Sequence, residues 1–398
     1  MDEVRGGVRR VESIAFFYQA PVSAISYRLS FARKEAGNPQ LLELEFPNLW
    51  DTVRQAYEQG SWEVVASFRD ALQLLLDWRG YWAQSLTLNS WACEAAQALG
   101  DAISLARWTH DWADILQQRG DYAQAERLYQ VSEEKYRTLG EGAMALRSRH
   151  MRSLVVRAQG RLTEATQLCE TTIAEAQKRN LERWLAHPLY VRGLLARDRG
   201  DLQKAGQWVK ESLSLISGTD ELAMTAQCQH FLGELALLQG NLATARTRLE
   251  VSLQLSRQVG ILRRVAATQR LLGDLARIEG HYDEAEGILC EALETATRLG
   301  DRPQSARLLV SRSHLAACQG QIREAIDLLR AAASTYQEIG DARGLARVSL
   351  LLARLYLGQG RWKHGLRMAV AAVRSAWSAK LLRPRILFGL IWRGRKES

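Results

Sequence analysis

The chain has 398 residues, of which 47% are hydrophobic and 24% charged, and its net charge is +9 at pH 7. No segment reaches the roughly 18 consecutive apolar residues of a membrane span, and the apolar stretch near the start is too short and too interrupted for a secretory signal. The five cysteines lack the paired spacing of a zinc site or a disulfide framework. The composition therefore predicts a soluble cytoplasmic protein that holds no metal or other cofactor.

The first predicted element is an N-terminal helical cap, residues 1–60, which ends in a half-helix from Asp51 to Glu58. Tryptophan is concentrated in residues 50–112, from the end of this cap onward. Seven of the twelve tryptophans are Trp50, Trp62, Trp78, Trp82, Trp91, Trp108 and Trp112. Such bulky side chains at the head of an array favour a thick core, and a docking surface for a partner is the alternative.

Residues 61–379 form a predicted array with a repeat of fixed length. Glycines recur every 40 residues, at Gly80, Gly120, Gly160, Gly200, Gly240, Gly280, Gly320 and Gly360. A second series of breaks falls halfway between them, at Gly60, Gly100, Gly140, Asn180, Gly218, Gly260, Gly300 and Gly340. Because glycine and asparagine adopt positive φ at low cost, both series predict helix ends. A fixed period of this length is typical of stacked helical hairpins.

Two local signals mark the ends of the predicted helices. Aspartates follow several of the glycines, at Asp101, Asp121, Asp201, Asp301 and Asp341. A carboxylate at this position can cap the free amides of the next helix. Pro188 is the one proline inside a predicted helix, which it should bend or shorten. The hairpin that contains Pro188 is therefore expected to be the least regular.

Small residues at fixed offsets predict close contacts between the helices of each hairpin. In the unit that starts at Leu271 they are Gly273, Gly280, Ala285 and Ala292. This order and spacing resembles the tetratricopeptide repeat, lengthened here by about six residues over the usual 34. The resemblance implies an all-α fold, a right-handed superhelical solenoid of about eight 40-residue hairpins.

The long helices also resemble the sensor arms of large bacterial signal-transduction ATPases of the NB-ARC and maltose-activator kind, and Leu41–Trp82 resembles the segment that enters such arms. The glycine-rich nucleotide-binding loop of those ATPases is absent from this sequence. Nucleophile elbows, the HExxH motif and di-iron ligand pairs are absent as well. His110, Asp111 and Asp114, which fall within about one turn, are interpreted as a solvated helix face. The sequence therefore predicts no enzymatic activity.

The net charge lies mainly at the ends of the chain. Residues 378–398 carry +5 and residues 1–40 carry +2, which leaves about +2 for the 337 residues between them. A body that followed the phosphates of nucleic acid would show a larger excess. Binding of DNA or RNA by the array is therefore not expected.

The predicted C-terminal tail, residues 380–398, places apolar residues between basic clusters. The apolar residues are Ile386, Leu387, Phe388, Leu390, Ile391 and Trp392. Three interpretations are open: a cap over the last repeat, a basic amphipathic segment at a membrane surface, and a tail that docks a partner. Contact with a membrane is expected only through this tail.

The resemblance places one polar face of each first helix on the concave surface of the solenoid. At 40-residue steps, one column on this face contains Arg107, Arg147, His187, Gln227, Ala267, Arg307 and Arg347. A second column contains His110, His150, Tyr190, His230 and Arg270. Equivalent positions in stacked hairpins lie about 10 Å apart, which is too far for shared ligation of a metal. These residues are either half-buried polar residues that recur by descent of the repeats or a site for an acidic protein segment.

We therefore predict a partner-binding site in the concave groove. Its residues are Arg107, His110, Arg147, His150, His187, Tyr190, His230 and Arg270. The predicted function is a non-enzymatic adaptor or scaffold that binds a protein or peptide with acidic groups. One alternative is a ligand- or peptide-sensing arm that regulates a separate signalling ATPase or transcription regulator, and another is a scaffold that self-associates through its ends.

Overall fold

The computed structural model of the chain describes residues 21–79 and 81–378, and within these residues every regular element is helical. The chain forms two compact units, Met1–Trp112 and Ala113–Ser398. None of the described helices is both long and apolar enough to cross a membrane. The predicted all-α fold is confirmed.

The described part of the N-terminal unit contains five complete helices and most of a sixth. They are α1 (Pro21–Lys34), α2 (Pro39–Leu44), α3 (Phe46–Glu58), α4 (Trp62–Arg79), α5 (Trp82–Leu99) and α6 (Ala102–Arg119). The predicted half-helix is longer than expected, because it already begins at Phe46. The predicted boundary at residue 60 falls in the turn between α3 and α4, whereas residues 380–398 lie outside the described part of the chain.

The C-terminal unit continues with helices of 13 to 18 residues. They are α7 (Tyr122–Thr138), α8 (Gly142–Ala158), α9 (Leu162–Lys178), α10 (Ala186–Asp198), α11 (Leu202–Leu215), α12 (Leu222–Leu238), α13 (Leu242–Val259), α14 (Leu262–Glu279), α15 (Tyr282–Arg298), α16 (Arg302–Cys318), α17 (Ile322–Glu338), α18 (Ala342–Gly358) and α19 (Trp362–Ser378). Helices α4 to α19 form the eight predicted hairpins.

The turns follow the glycine pattern. Every described glycine of the two 40-residue series has positive φ, and Gly280 at 88° is an example. Asn180, with φ of 57°, is the one non-glycine residue of the described chain in this region. Four of the five predicted aspartate caps are present. Asp201 accepts a hydrogen bond from the backbone amide of Lys204 at 3.0 Å. The same bond to the amide three residues later is made by Asp101, Asp301 and Asp341. Asp121 makes no such bond.

The hairpin that contains Pro188 is the irregular one, as predicted. A short 3₁₀ helix, Arg183–Leu185, precedes α10, which has only 13 residues where the other first helices have 17 or 18. Pro188 is the third residue of α10, where its missing N–H costs no helical hydrogen bond. The proline therefore fixes a late start for this helix.

The small positions bring the two helices of a hairpin together. A Cβ atom added at Gly233 in α12 would lie 2.7 Å from Cγ of Leu249 in α13 and 3.4 Å from the carbonyl oxygen of Ala245. Leu249 and Ala245 are fully buried at this contact. Close packing of this kind leaves no room for a larger side chain. The predicted role of the small column is confirmed.

The tryptophan-rich region of the N-terminal unit forms an aromatic core, as predicted. The ring centroids of Phe46 and Tyr81 are 4.7 Å apart, and those of Tyr57 and Trp91 are 4.5 Å apart, with both pairs stacked. Members of this core or its edge are Trp50, Trp62, Trp91 and Trp108. The side chain of Trp78 lies outside the described residues.

The C-terminal unit closes on itself. The carboxylate of Asp198, at the end of α10, accepts hydrogen bonds from Arg157 of α8 at 2.8 Å and from Arg343 of α18 at 3.1 Å. A Cβ atom at Gly120 would lie 2.8 Å from the Cβ of Ile339. Hairpins of this unit that are far apart in the sequence are therefore in contact.

Candidate partner-binding face

The inner face of the C-terminal unit is formed by the first helices of its hairpins, α8, α10, α12, α14, α16 and α18. First helices of neighbouring hairpins contact each other, as α8 does with α10, α12 with α14, and α14 with α16, and this contact exceeds that between second helices. In a curved stack the more closely spaced helices lie on the inside of the curve. The first helices of this unit, which carry the predicted columns, therefore lie on its concave side.

Arg107 and His110 belong to the N-terminal unit. Arg107 donates to both carboxylate oxygens of Asp70, at 2.9 and 3.1 Å, and its side chain is half exposed. His110 is buried with 3% exposure. The interpretation of His110 as part of a solvated face is therefore wrong. Its neighbour Asp111 is ion-paired with Arg69 of α4, which covers this face of α6.

Arg147, His150 and His187 lie together in the C-terminal unit, although 40 residues separate two of them. The ring of His150 is 5.5 Å from that of His187 and 6.0 Å from that of Trp184, with both contacts edge-on. Burial lowers the pKa of His187, the charge of Glu221 opposes this, and that of Arg147 lowers the pKa further. Arg147 itself is exposed. The cluster combines flat rings with one accessible guanidinium group.

Tyr190 and His230 are buried on the same inner face. The ring of Tyr190 packs edge-on against Phe231 at 5.7 Å. Nδ1 of His230 is 2.9 Å from the hydroxyl oxygen of Thr268 on the next first helix. Burial holds the pKa of His230 well below its ordinary value, and four surrounding arginines, Arg264, Arg270, Arg197 and Arg307, lower it further. His230 is therefore neutral at pH 7 and links two hairpins.

Most other charged groups of the inner face are ion-paired with each other. Arg270 donates to Asp274 at 3.2 Å, and Asp274 also accepts from Ser311 of the following hairpin at 3.0 Å. Arg263 is paired with Asp301 at 2.8 Å. The bond of Ser311 to Asp274 and the pair of Arg263 with Asp301 join residues 37 and 38 positions apart, so they connect one hairpin to the next, whereas Arg270 and Asp274 lie on the same helix.

Two further arginines of the first predicted column differ from these. Arg307 and Arg347 are exposed to solvent, and neither forms an ion pair with any other described residue. Burial lowers the pKa of Arg270, Asp274 and Glu234 oppose this, and the charges of Arg307 and Arg347 lower it further. Arg307 and Arg347 therefore add positive charge that acts on Arg270, while Asp301 and Asp341 act on Arg307 without forming an ion pair with it.

The family comparison agrees with the helical hairpins. A tetratricopeptide-repeat model matches residues 226–298 and 264–338, and a second model of the same description matches residues 112–130. The chain therefore contains tetratricopeptide repeats in these regions. No curated protein sequence matches it.

Several solved structures are similar to this tetratricopeptide-repeat chain. The Rap conjugation gene regulator of the plasmid pLS20, in complex with the Phr* peptide, is 14% identical with a TM-score of 0.59, over 84% of this chain and 95% of that one. The apo quorum sensor NprR from B. thuringiensis is 11% identical with a TM-score of 0.53, and the match covers 88% of this chain and 98% of NprR. A STAND protein with a tetratricopeptide-repeat sensor, PH0952 from Pyrococcus horikoshii, is 13% identical with a lower TM-score of 0.43. This match covers 91% of the present chain and 54% of PH0952.

The tetratricopeptide repeats offer little for catalysis in the described residues. No group of three or more histidines, cysteines or carboxylates in that part of the chain could hold a metal ion. Burial raises the pKa of Cys169 to about 12 and that of Cys228 to about 11, so neither thiol supplies a nucleophilic thiolate at pH 7. What the inner face does offer is hydrogen-bond donors and positive charge.

Arg307 and Arg347 were not among the predicted site residues, although the sequence held a signal for them. Both fall in the same 40-residue column as Arg107 and Arg147. The later positions of the second column are Val310 and Leu350, which made the end of the array look less polar. Reading each column through to the last repeat identifies both arginines.

Proposed function

We propose that this chain is a non-enzymatic protein-interaction module whose C-terminal unit binds an extended anionic segment of a partner on its inner face. The observation that carries the proposal is one column of exposed arginines, Arg147, Arg307 and Arg347, that lack ion pairs within the described residues. The neighbouring Arg263 and Arg270 have carboxylate partners. Carboxylates of a partner would form the ion pairs that Arg147, Arg307 and Arg347 do not form within the described residues.

The free energy of ion pairing favours binding of an anionic segment by these arginines. A guanidinium group binds a carboxylate through two parallel hydrogen bonds, and a charge-assisted bond of this kind contributes roughly 1.5 to 3 kcal/mol. Arg307 and Arg347 occupy the same position in successive repeats, and the charges of both act on Arg270. An anion placed among them relieves the repulsion of like charges as well as forming its own bonds. Arg147 and His187 extend the same surface toward the start of the unit.

The deeper predicted residues contribute in a different way. His150, Tyr190 and His230 are at most 8% exposed, so a partner reaches their polar atoms only when the inner face opens. Their role in the closed unit is to hold neighbouring first helices together. We therefore assign first contact with the partner to the exposed arginines and to half-buried His187.

A peptide-sensing arm that regulates a separate signalling protein is the second candidate function. The similar Rap structure holds a Phr* peptide, and NprR is described as a quorum sensor. The contact between Asp198 and Arg343 supplies a physical basis, since an anionic ligand that attracts the arginine competes with this carboxylate. In that case, ligand binding changes how tightly the unit is closed.

The test compares the wild type with R307E/R347E and with a control, R257E/R298E. Arg257 and Arg298 are exposed, lie on second helices and form no ion pair within the described residues, so the control changes the net charge equally. We expect recovery of the partner from native extract, and its competition by oligo-glutamate, to fall at least tenfold for R307E/R347E alone, which corresponds to about 1.4 kcal/mol. Equal recovery by both variants, with unchanged melting temperatures, contradicts the proposal. Peptide-dependent release of a bound regulator identifies the sensing alternative.

A further inference from the structure

The last helix of the array, α19, carries an uncovered apolar stripe. Trp362 is 71% exposed, Leu366 67% and Val370 46%, and a spacing of four residues places all three on one side of the helix. Ile326 occupies the position of Leu366 one repeat earlier, and it is only 5% exposed because it packs in the core of the last two hairpins. Large apolar side chains at this density are unusual on a water-facing helix.

Two of the three apolar positions of this stripe are particular to the last repeats, whereas the position of Trp362 is apolar in every earlier repeat from Tyr122 to Ile322. At 40-residue steps, the positions that precede Leu366 are Glu126, Thr166, Gly206, Arg246, Glu286 and Ile326. Those that precede Val370 are Gln130, Glu170, Lys210, Glu250, Cys290 and Arg330. Most are polar. The apolar side chains of Leu366 and Val370 therefore distinguish α19 from the second helices of most earlier hairpins.

A basic row adjoins the stripe. Lys363, Arg367 and Arg374 are exposed, lie next to one another along α19 and form no ion pair with the other described residues. The helix contains no acidic residue at all. An apolar stripe flanked by cations on one helix is the arrangement of segments that lie in the interface of a membrane.

The distribution of charge in the whole sequence points the same way. Residues 361–398 contain ten basic residues and one acidic residue, Glu397, so their net charge of +9 equals that of the entire chain. Residues 1–360 are therefore neutral overall. A positive charge confined to one end orients that end toward an anionic surface.

We propose that α19 docks the protein on an anionic lipid surface. The stripe formed by Trp362, Leu366 and Val370 enters the boundary between headgroups and acyl chains, while the adjoining basic row meets lipid phosphates and carboxylates. Nucleic acid complements the charge but leaves the apolar stripe in water.

Co-sedimentation of the full chain with vesicles tests the proposal. Vesicles of phosphatidylcholine with phosphatidylserine should pellet the wild type, and vesicles of phosphatidylcholine alone should not. Each basic residue near an anionic surface contributes about 1 kcal/mol, so R367E/R374E should lower the partition coefficient at least tenfold. W362S/L366S should lower it as well, because the apolar stripe is lost. The control R257E/R298E, with the same change in net charge, should keep most of the binding.

Three results overturn the proposal. The first is failure of the wild type to pellet with anionic vesicles. The second is equal pelleting of the wild type and both α19 variants. Loss of binding only on removal of residues 380–398 belongs to this result, since it would show that α19 does not contribute. The third is salt-sensitive binding to a duplex DNA or RNA probe that exceeds vesicle binding and survives W362S/L366S. Circular dichroism of each variant confirms that the helices are retained.

Discussion

Asp198 accepts a hydrogen bond from Arg343 at 3.1 Å, although 145 residues separate them in the chain. Both side chains are largely buried, with 10% and 23% exposure. Burial raises the pKa of Asp198, but the charges of Arg157, Arg197 and Arg343 outweigh this and hold the pKa below its ordinary value. The carboxylate is therefore ionised and shared between the third, fourth and eighth hairpins.

The first prediction concerns this closing contact. R343A removes the distant partner and leaves Arg157 and Arg197 in place, so we expect a loss of about 1 to 2 kcal/mol in the free energy of unfolding. The radius of gyration from small-angle X-ray scattering should increase. R354A changes an exposed arginine of the same helix that forms no ion pair in the described residues, and should alter neither quantity. A variant R343A with the dimensions and stability of the wild type would show that the contact does not hold the unit closed.

The second prediction concerns two glycines inside helices. A Cβ atom at Gly233 would lie 2.7 Å from Leu249, whereas one at Gly287 in α15 would meet nothing within 4 Å. G233A should therefore destabilise the protein by about 1 to 3 kcal/mol through overpacking. G287A should stabilise it by about 0.5 to 1 kcal/mol through helix propensity. Thermal melts of the two variants decide this, and shifts of the same sign would contradict the close approach of α12 and α13.

The third prediction concerns the repeat period. Deletion of one interior unit in register, Gly240 through Glu279, should leave a helical, folded protein of lower stability, because each hairpin packs mainly on its neighbours. Deletion of about 20 residues, half a unit, should be tolerated far less, since it joins a first helix to the wrong partner. Circular dichroism melts compare the two. Equal collapse of both proteins would count against a repeat array.

The fourth prediction concerns pH. Burial holds the pKa of His230 well below 6.5, its ordinary value, so the unfolded chain takes up a proton near pH 6.5 while the native protein does not. The unfolded state then binds more protons, and stability falls as the pH drops from 7 toward 5. Burial lowers the pKa values of His187 and His314 as well, which adds to the same slope.

H230Q should flatten this pH dependence by up to about 1.4 kcal/mol per pH unit, the value for one proton. Chemical denaturation at pH 5, 6 and 7 measures the slope. H281Q, which changes an exposed histidine at the start of α15, serves as the control. If the slope of H230Q matches that of the wild type, protonation of His230 does not set the stability in this range.

The sequence predicts the local parts of this fold well. Turns are encoded by single residues, so the two glycine series, the asparagine at position 180 and the late helix start at Pro188 could be predicted one by one. Helical periodicity also identifies the polar side of each first helix. These features depend on neighbours within a few residues, and the pattern of the chain carries that information.

Burial on the inner face could not be predicted in the same way. Periodicity shows that His230 points away from its own hairpin partner, but not that Thr268 of the next first helix lies 2.9 Å from it. The pairing of Asp198 with Arg343 depends on the small rotation between successive hairpins, summed over four steps. No local pattern records that rotation, so the exposed arginines could be separated from the paired ones only in three dimensions.

The closing contact has a mechanical consequence. An open solenoid stretches as a spring, with each hairpin yielding a little to a pull along its axis. Here the ion pair of Asp198 with Arg343, together with the packing of Gly120 against Ile339, acts as a clasp between distant hairpins, so tension along the C-terminal unit loads this clasp first. The unit should therefore resist a weak pull as a rigid body, and then lengthen abruptly once the clasp releases.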